Sequence, residues 1–324
     1  MNTVTYVRRR LLLLLLTLTL IATTNQARAD TAEIVLYTAL GTVNGYALEG
    51  RVIEQRGHAA TTTTDSWLTN LWRSMRRLVN DEFENFGVEL SVAQHHWSVT
   101  TDAEGYFRVD AGPDKSLASG WHTVRATSSD QSVTTAGSLL IVDNANPIGI
   151  ISDMDDTLLV SDVNHKTQLL ANTFLKNAQQ RIAVAGAAEA LRRLLASNPA
   201  PNSAAVVYLT ASPKQLYANI DEFLDIQSFP RGVLIAKRVT DDKTTEPLFD
   251  QYAYKTAKIE DIFRRIPQTK FILLGDDGEK DPEIYRDIAA KYPAHIASVY
   301  IRKVNPDTTR PTYPDQHDMA ELLR

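Results

Sequence analysis

From Ala32 to about Val142, apolar positions alternate or cluster in short runs, with Gly, Asp and Ser at the breaks. The runs "EIVLYTALG", "YALEGRVIEQ", "FGVELSVAQ", "WSVTTDAEGYFRVDA", "WHTVRATS" and "SLLIVD" read as β-strands, because a period of two lines one face of a half-buried strand. In "TTDAEGYFRV" a turn at Asp102 to Gly105 feeds a strand, as in a hairpin. Strands this short and this closely spaced predict an all-β, sandwich-like domain or a small barrel.

One segment breaks the rhythm. "SWLTNLWRSMRRLVNDEF" sets Trp67, Leu68, Leu71, Trp72, Met75, Leu78 and Val79 at helical spacing, with Asp65 or Ser66 as the cap. Arg73, Arg76 and Arg77 lie outside that stripe. Such a helix packs its stripe on its own domain, or lays a basic, tryptophan-bearing face on a membrane.

"VDNANPIG", Val142 to Gly149, reads as a linker. Beyond it strands alternate with helices: "IGIIS", "AAVVYLT", "GVLIAKRV", "KFILLGD" and "ASVYIRKV", with "GAAEALRRLLAS" and "YKTAKIEDIFRRI" among the helical stretches. That alternation predicts an α/β domain with a doubly wound parallel sheet. The expected division is residues 30–146 as the β domain with its inserted helix and 147–324 as the α/β domain.

The first 29 residues stand apart. Arg8, Arg9 and Arg10 precede an eleven-residue run, Leu11 to Ile21, that is too short to span a bilayer comfortably. With "ARA" at Ala27 to Ala29, this is the pattern of a signal peptide cleaved after Ala29, giving an exported and periplasmic protein. Cleavage removes four arginines and no acid, so the formal charge moves from −5 to −9. A charge of that sign argues against a nucleic-acid partner. The chain of 324 residues has no cysteine, which excludes thiol catalysis, iron–sulfur clusters, cysteine zinc sites and lipoprotein anchoring. His58, His95 and His96 have no partner at zinc-site spacing.

The chemistry gathers at strand ends, where open parallel sheets build their sites. The run "IGIIS" ends on Asp153, followed by Asp155, Asp156 and Thr157. Thr210 closes "AAVVYLT", ahead of Ser212 as a helix N-cap and Pro213 as first helical residue. Lys255 opens "YKTAKIEDIF"; Asp276 and Asp277 close "KFILLG", with Asp281 five residues after Asp276. A calcium loop fits poorly, since Leu158 occupies the slot that needs glycine.

These groups suit phosphoryl transfer through an aspartate. One carboxylate attacks phosphorus, and a second, two residues on, handles the protons of the leaving alkoxide and of the incoming water. Mg²⁺ takes hard oxygen ligands, which Asp153 and Asp276 supply as carboxylates and Asp155 as a backbone carbonyl. Thr210 and Lys255 then hold the phosphoryl oxygens.

The order Asp-x-Asp-x-Thr, strand-end Thr, helix-start Lys and Gly-Asp-x-x-x-x-Asp resembles the haloacid-dehalogenase-type (HAD-like) phosphatase superfamily. More narrowly, "GIISDMDDTLL", "VVYLTASPKQLY", "YKTAKI", "FILLGDDGEKDPEIY" and "VYIRKV" resemble the actin-patch-protein-type Mg²⁺-dependent phosphatidate phosphatases. The resemblance implies Asp153 as nucleophile, Asp155 as general acid/base, Thr210 and Lys255 as phosphate ligands, and Asp276 as metal ligand. Asp281, Thr157 and Asp277 are supporting residues. Two positions depart from the pattern: Ala211 stands where the family has Asn, and Asp277 where it has Ser.

The gaps between these motifs hold one or two helices around Asn164 to Arg181 and a short polar loop before Lys255, which is too little for a large cap. An open site suits a phosphate carried on something bulky, such as a lipid at a bilayer surface. The readings are therefore a phosphatidate phosphatase, a phosphomonoesterase for other esters, or a surface-binding protein with a vestigial phosphatase domain.

Overall fold

The computed structural model describes residues 32–54, 83–113, 116–160, 178–239, 250–305, 307 and 309–324. The expected leader, the tryptophan-bearing helix, most of the Asn164–Arg181 segment and the Asp241–Lys243 run lie outside the described residues.

The β part comprises β1 (Ala32–Leu36), β2 (Ala39–Thr42), β3 (Gly45–Glu54), β4 (Gly87–Val92), β5 (His95–Thr100), β6 (Tyr106–Ala111), β7 (Gly120–Ser128) and β8 (Thr134–Ile141). These join in one eight-stranded sheet, ordered β1-β3-β2-β8-β7-β4-β5 with β6 on β3. Alternation does what the sequence predicts: Val88, Leu90 and Val92 of β4 are buried with Leu48 and Val52 of β3 and Leu139 and Ile141 of β8. The hairpin expectation at Asp102 is corrected. The turn forms, with the Asp102 carboxylate accepting the amides of Glu104 and Tyr106 at 3.0 and 2.8 Å. It delivers β6 antiparallel to β3, however, while β5 pairs with β4.

The second part is a mixed α/β unit. Its sheet strands are β9 (Ile148–Asp153), β10 (Val206–Pro213), β11 (Val233–Lys237), β12 (Lys270–Asp276), β13 (Ile296–Arg302) and β14 (His317–Asp318). All pairings are parallel, in the order β11-β10-β9-β12-β13-β14. The helices are α1 (Ala187–Leu195), α2 (Tyr217–Ile226), α3 (Gln251–Arg265) and α4 (Asp281–Lys291). Residues of α1 and α2 pack with Ile150, Tyr208 and Leu274 in one core, and those of α3 and α4 with Ile151, Val207 and Leu273 in another. Adjacent strand residues thus feed opposite cores, so these strands are apolar almost throughout.

Chain order reverses between β9 and β12. From β9 the chain moves out through β10 and β11, then returns to β12 on the other side. In open parallel sheets, ligands bind at the carboxyl ends of the strands flanking such a reversal. Asp153 ends one strand and Asp276 the other.

The β part sits against β11, the edge of the parallel sheet. Leu40, Leu140 and Val142 share a core with Val233, and Tyr37 and Tyr106 share one with Leu234 and Tyr217. The linker is packed as well, since the Asn146 side chain donates to the Ala200 carbonyl at 2.8 Å and accepts that residue's amide at 2.9 Å.

Candidate active site

Asp153 is delivered by the apolar run of β9 and is 2% exposed. The chain then turns sharply, and Asp156 carries the turn in a left-handed conformation (φ 58°) that aspartate tolerates better than most residues. The Asp156 carbonyl accepts from the Arg302 guanidinium at 2.5 Å, tying the turn to the end of β13. Of the three clustered carboxylates, Asp156 is the one that shapes the loop.

Lys255 reaches Asp153 from α3. Asp250 caps that helix by accepting the Ala253 amide at 2.9 Å, and Tyr254, Lys255, Ile259 and Ile262 form its buried face. A lysine inside an apolar stripe, 1% exposed, must find charge partners. Its ammonium lies 2.9 Å from Asp153, 2.5 Å from Asp281 and 3.8 Å from Glu279. Burial works against the charge on Lys255, yet Asp153 and Asp281 outweigh it and hold the amine well above its ordinary value.

Asp276 closes β12, and Asp281 opens α4, where the helix N-terminus favours a carboxylate. Gly275 permits their approach: a Cβ there would lie 2.6 Å from that of Asp281. Thr157 donates to Asp276 at 3.5 Å, and the Asp276 amide donates to Asp281 at 3.4 Å. One oxygen each of Asp153, Asp276 and Asp281 come within 4.8 Å of one another, all buried.

Burial raises the carboxyls of Asp153, Asp276 and Asp281; Lys255 pulls all three back, and neighbouring carboxylates add to the rise, Glu279 among them. Asp153 Oδ2 has no hydrogen-bond partner among the described residues. A hard divalent cation would satisfy both the excess charge and that orphaned oxygen, so the residues present fit a metal. Asp281, expected as support, completes the carboxylate trio, and the Asp155 side chain points elsewhere.

Asp155 Oδ2 accepts from Thr210 at 3.2 Å and from Ser212 at 3.3 Å, and the Ser212 amide donates to the Thr210 hydroxyl at 2.9 Å. This corrects the helix-cap expectation for Ser212. Strand β10 runs on through Pro213, a 3₁₀ turn follows, and α2 begins at Tyr217. Burial raises the Asp155 carboxyl, and Arg181 pulls it partway back.

Asp277 is occupied by structure. Its carboxylate accepts the amides of Val304 and Asn305 at 2.6 and 2.7 Å, which locks the chain leaving β13. It is not in the buried trio.

Sequence reasoning missed Glu279, Arg181 and Lys237. Glu279 lies inside "GDDGEKD" but off the motif spacing, and it accepts from Gln251 at 2.8 Å. Buried Arg181 follows a segment with no chemical signature. Buried Lys237 ends β11, with its ammonium 5.0 Å from the Tyr254 ring. The basic residue closing an apolar strand was the only signal for it.

The β part also reaches this site. Glu49 of β3 pairs with Lys214 at 2.7 Å, and Tyr217 accepts from the Thr38 amide at 2.8 Å and donates to its hydroxyl at 2.9 Å. The segment carrying Thr210 and Ser212 is thereby clamped from outside its own domain.

Buried aspartates at the switch point of a parallel α/β sheet, with a lysine between them and a hydroxyl-bound carboxylate beside them, form an arrangement suited to phosphoryl transfer. Residues 148–303 match the family "Phosphatidate phosphatase APP1, catalytic domain". An uncharacterized protein of Schizosaccharomyces pombe is 28% identical over 249 residues, covering 72% of this chain and 40% of that protein. Phosphatidate phosphatase APP1 of Saccharomyces cerevisiae is 28% identical over 159 residues, covering 48% of this chain and 26% of that protein. The chain thus spans less than half the length of these curated relatives. Among solved structures, a carbohydrate acetylesterase from Xanthomonas citri covers 90% of this chain and 72% of its own, at 12% identity and a TM-score of 0.33; a likeness that slight carries no argument.

Proposed function

We propose that the protein is an exported, Mg²⁺-dependent, HAD-like phosphatase that hydrolyses phosphatidate to diacylglycerol and phosphate through an aspartyl-phosphate. The observation that carries this reading is the setting of Asp153. It is buried at the switch point, with one oxygen on Lys255 and the other without a partner among the described residues. The match of residues 148–303 to the phosphatidate phosphatase family supports the substrate class, and the signal-peptide pattern of residues 1–29 supports export.

Asp153, Asp276 and Asp281 would hold Mg²⁺, which supplies charge neutralisation for the phosphoryl oxygens. An Asp153 oxygen attacks phosphorus, and the P–O bond to glycerol breaks. Asp155 gives its proton to the departing alkoxide, a role that its burial-raised pKa favours. Asp155, now ionised, takes a proton from water; the hydroxide adds to phosphorus, and the acyl–phosphate bond opens to return the Asp153 carboxylate and free phosphate. Thr210 and Ser212 hold Asp155 in place, and Lys255 pulls Asp153 toward its ionised form against the effect of burial.

Asp153→Asn, purified as mature chain, is expected to release no phosphate from phosphatidate micelles while keeping its circular dichroism. A parallel panel of phosphatidate, lysophosphatidate and small phosphate esters, with and without Mg²⁺, separates a lipid phosphatase from a general phosphomonoesterase. Silence across the panel would leave a surface-binding protein with a vestigial site.

A further inference from the structure

The loop joining β12 to α4 has Asp276 at its entrance and Asp281 at its exit, so residues Asp277 to Lys280 set how the two carboxylates face each other. Like charges held this close push apart, and burial sharpens the effect. Inside the loop two bonds oppose that push. The Gly278 amide donates to Asp276 at 2.7 Å, and the Asp276 amide to Asp281 at 3.4 Å.

From outside, the loop is held by the chain that follows β13. Asn305, already tied to Asp277, begins a run of turns: its side chain accepts the Asp307 amide at 3.0 Å. Asp307 in turn accepts the Thr309 amide at 2.9 Å on its carboxylate and the Arg310 amide at 3.2 Å on its carbonyl. These turns deliver Arg310, whose Nη2 donates to the Glu279 carbonyl and, at 3.0 Å, to the Glu283 carboxylate. Further along, Gln316 donates to the Pro282 carbonyl at 2.7 Å. Pairing of β14 with β13 and burial of Met319 fasten this C-terminal strap to the sheet and its core. Glu279 and Glu283 flank Asp281 by two residues on either side. A single nitrogen thus joins the loop before Asp281 to the first turn of the helix after it. Glu279 is gripped from the other direction as well, because its side chain accepts from Gln251 of α3 at 2.8 Å.

We propose that Arg310 is a positioning residue: by holding the Glu279 carbonyl and Glu283 together it fixes Asp281, and so keeps the carboxylate trio in a geometry that binds a divalent cation. The metal role of the trio rests on the reading above; the argument for Arg310 is its placement across Asp281. Arg310 lies outside the family-matched residues 148–303. As an ion pair alone, Arg310 with Glu283 would matter little, since their side chains are 19% and 30% exposed and such pairs are weak. A residue that orients a metal ligand from outside the coordination shell has a larger effect, about 10–100-fold in metal affinity. That difference in scale separates the two roles.

Isothermal titration of the full mature chain with Mg²⁺, paired with amide hydrogen exchange in EDTA, tests this. Arg310→Ala should weaken Mg²⁺ binding by about tenfold or more, and lower kcat on phosphatidate by a similar factor while KM moves far less. In EDTA two amides report on the loop: that of Gly278, and that of Ile284, which is bonded to the Lys280 carbonyl at 3.0 Å. Both should exchange about tenfold faster in Arg310→Ala, while Ile150 of β9 keeps its native rate. Arg310→Lys keeps one charged donor nitrogen, which is what makes both contacts, and should recover part of the binding. Lys303→Ala breaks a different contact of the strap, to Asp318 at 3.7 Å, and should leave Mg²⁺ affinity as it is. Should Arg310→Ala not fold, Gln316→Ala repeats both measurements at the neighbouring carbonyl. Native affinity and native exchange in Arg310→Ala overturn the proposal. An equal loss in Lys303→Ala overturns it too, since the strap would then act through general stability. A native chain that takes up no Mg²⁺ removes the metal reading instead, and exchange alone decides: faster rates at Gly278 and Ile284 keep Arg310 as the residue that fixes Asp281, and unchanged rates overturn it.

Discussion

The Lys255 ammonium stands 2.9 Å from the Asp153 carboxylate, and both side chains are almost wholly removed from solvent. A buried pair of this kind is worth little against an apolar substitute of the same shape, but breaking it from one side strands a charge. Lys255→Met therefore removes the cation that pairs with Asp153 and Asp281 among the described residues. The expected result is a loss of about 3–5 kcal/mol in urea unfolding without divalent metal. Turnover should be abolished as well, and Mg²⁺ should restore part of the stability and none of the activity. An unchanged unfolding midpoint would mean that Lys255 is not what neutralises the cluster.

The opposite sign is expected for Asp276→Asn. Burial and the neighbouring Asp281 already disfavour the Asp276 charge, so removing it relieves the metal-free protein. Its melting temperature should rise by roughly 2–4 °C for each kcal/mol relieved. The same change removes a ligand, so the Mg²⁺-induced rise seen with the native chain should disappear, because a ligand stabilises only the state that binds it. Thermal melts of both chains in EDTA and in Mg²⁺ read both effects. A native chain indifferent to Mg²⁺ would refute the metal assignment.

Much of this site was legible because its residues stand in short local patterns. Asp153, Asp276 and Lys255 each follow or interrupt an apolar run at a strand end or helix start. Their convergence needs only the parallel order of the sheet. For Asp281, a spacing of five residues from Asp276 says nothing about direction; the Gly275 gap that lets the two approach is visible only in three dimensions. The Asp102 turn illustrates the same limit. Its side-chain bonds are local and predictable, whereas the partner of the strand it launches is set by packing far along the chain. Ser212 escapes local reading for the same reason, since an Asp155 carboxylate 57 residues away decides its role.

The two parts of the chain should be coupled in acid as well as in packing. Burial would raise the Glu49 carboxyl, but Lys214 and then Arg108 bring it down to about 2 from an ordinary value of 4.5. A group depressed in this way contributes stability above pH 4.5, which is lost as pH falls through about 2. Glu49→Gln should therefore be less stable than the native chain at pH 6, with the gap narrowing below pH 4.5. Because Lys214 follows the Thr210–Ser212 segment, kcat should also fall while KM changes less. An equal deficit at every pH would show that the pair's charge is not what joins the domains.

A separate carboxylate, on α2, works against the fold at neutral pH. Burial, then repulsion from Asp225 four residues on, raises Asp221 to about 6 from 3.8, with Arg231 offsetting only part. The linkage has the opposite sign to that of Glu49. A raised carboxyl favours the folded state fully below pH 3.8, and that advantage is lost as pH rises through about 6. Above that point the folded chain holds a charge it would rather not carry, at a cost on the order of 1–3 kcal/mol. Asp221→Asn keeps the shape and deletes the charge, so it should raise the melting temperature at pH 8 and leave it nearly unchanged at pH 4. Among the described residues Asp221 makes no hydrogen bond or ion pair with Asp153, Asp155, Lys255, Asp276 or Asp281, so turnover should change little. Melts of both chains between these pH values decide it: a uniform shift would point to packing, and no shift at pH 8 would mean that solvent already screens the pair.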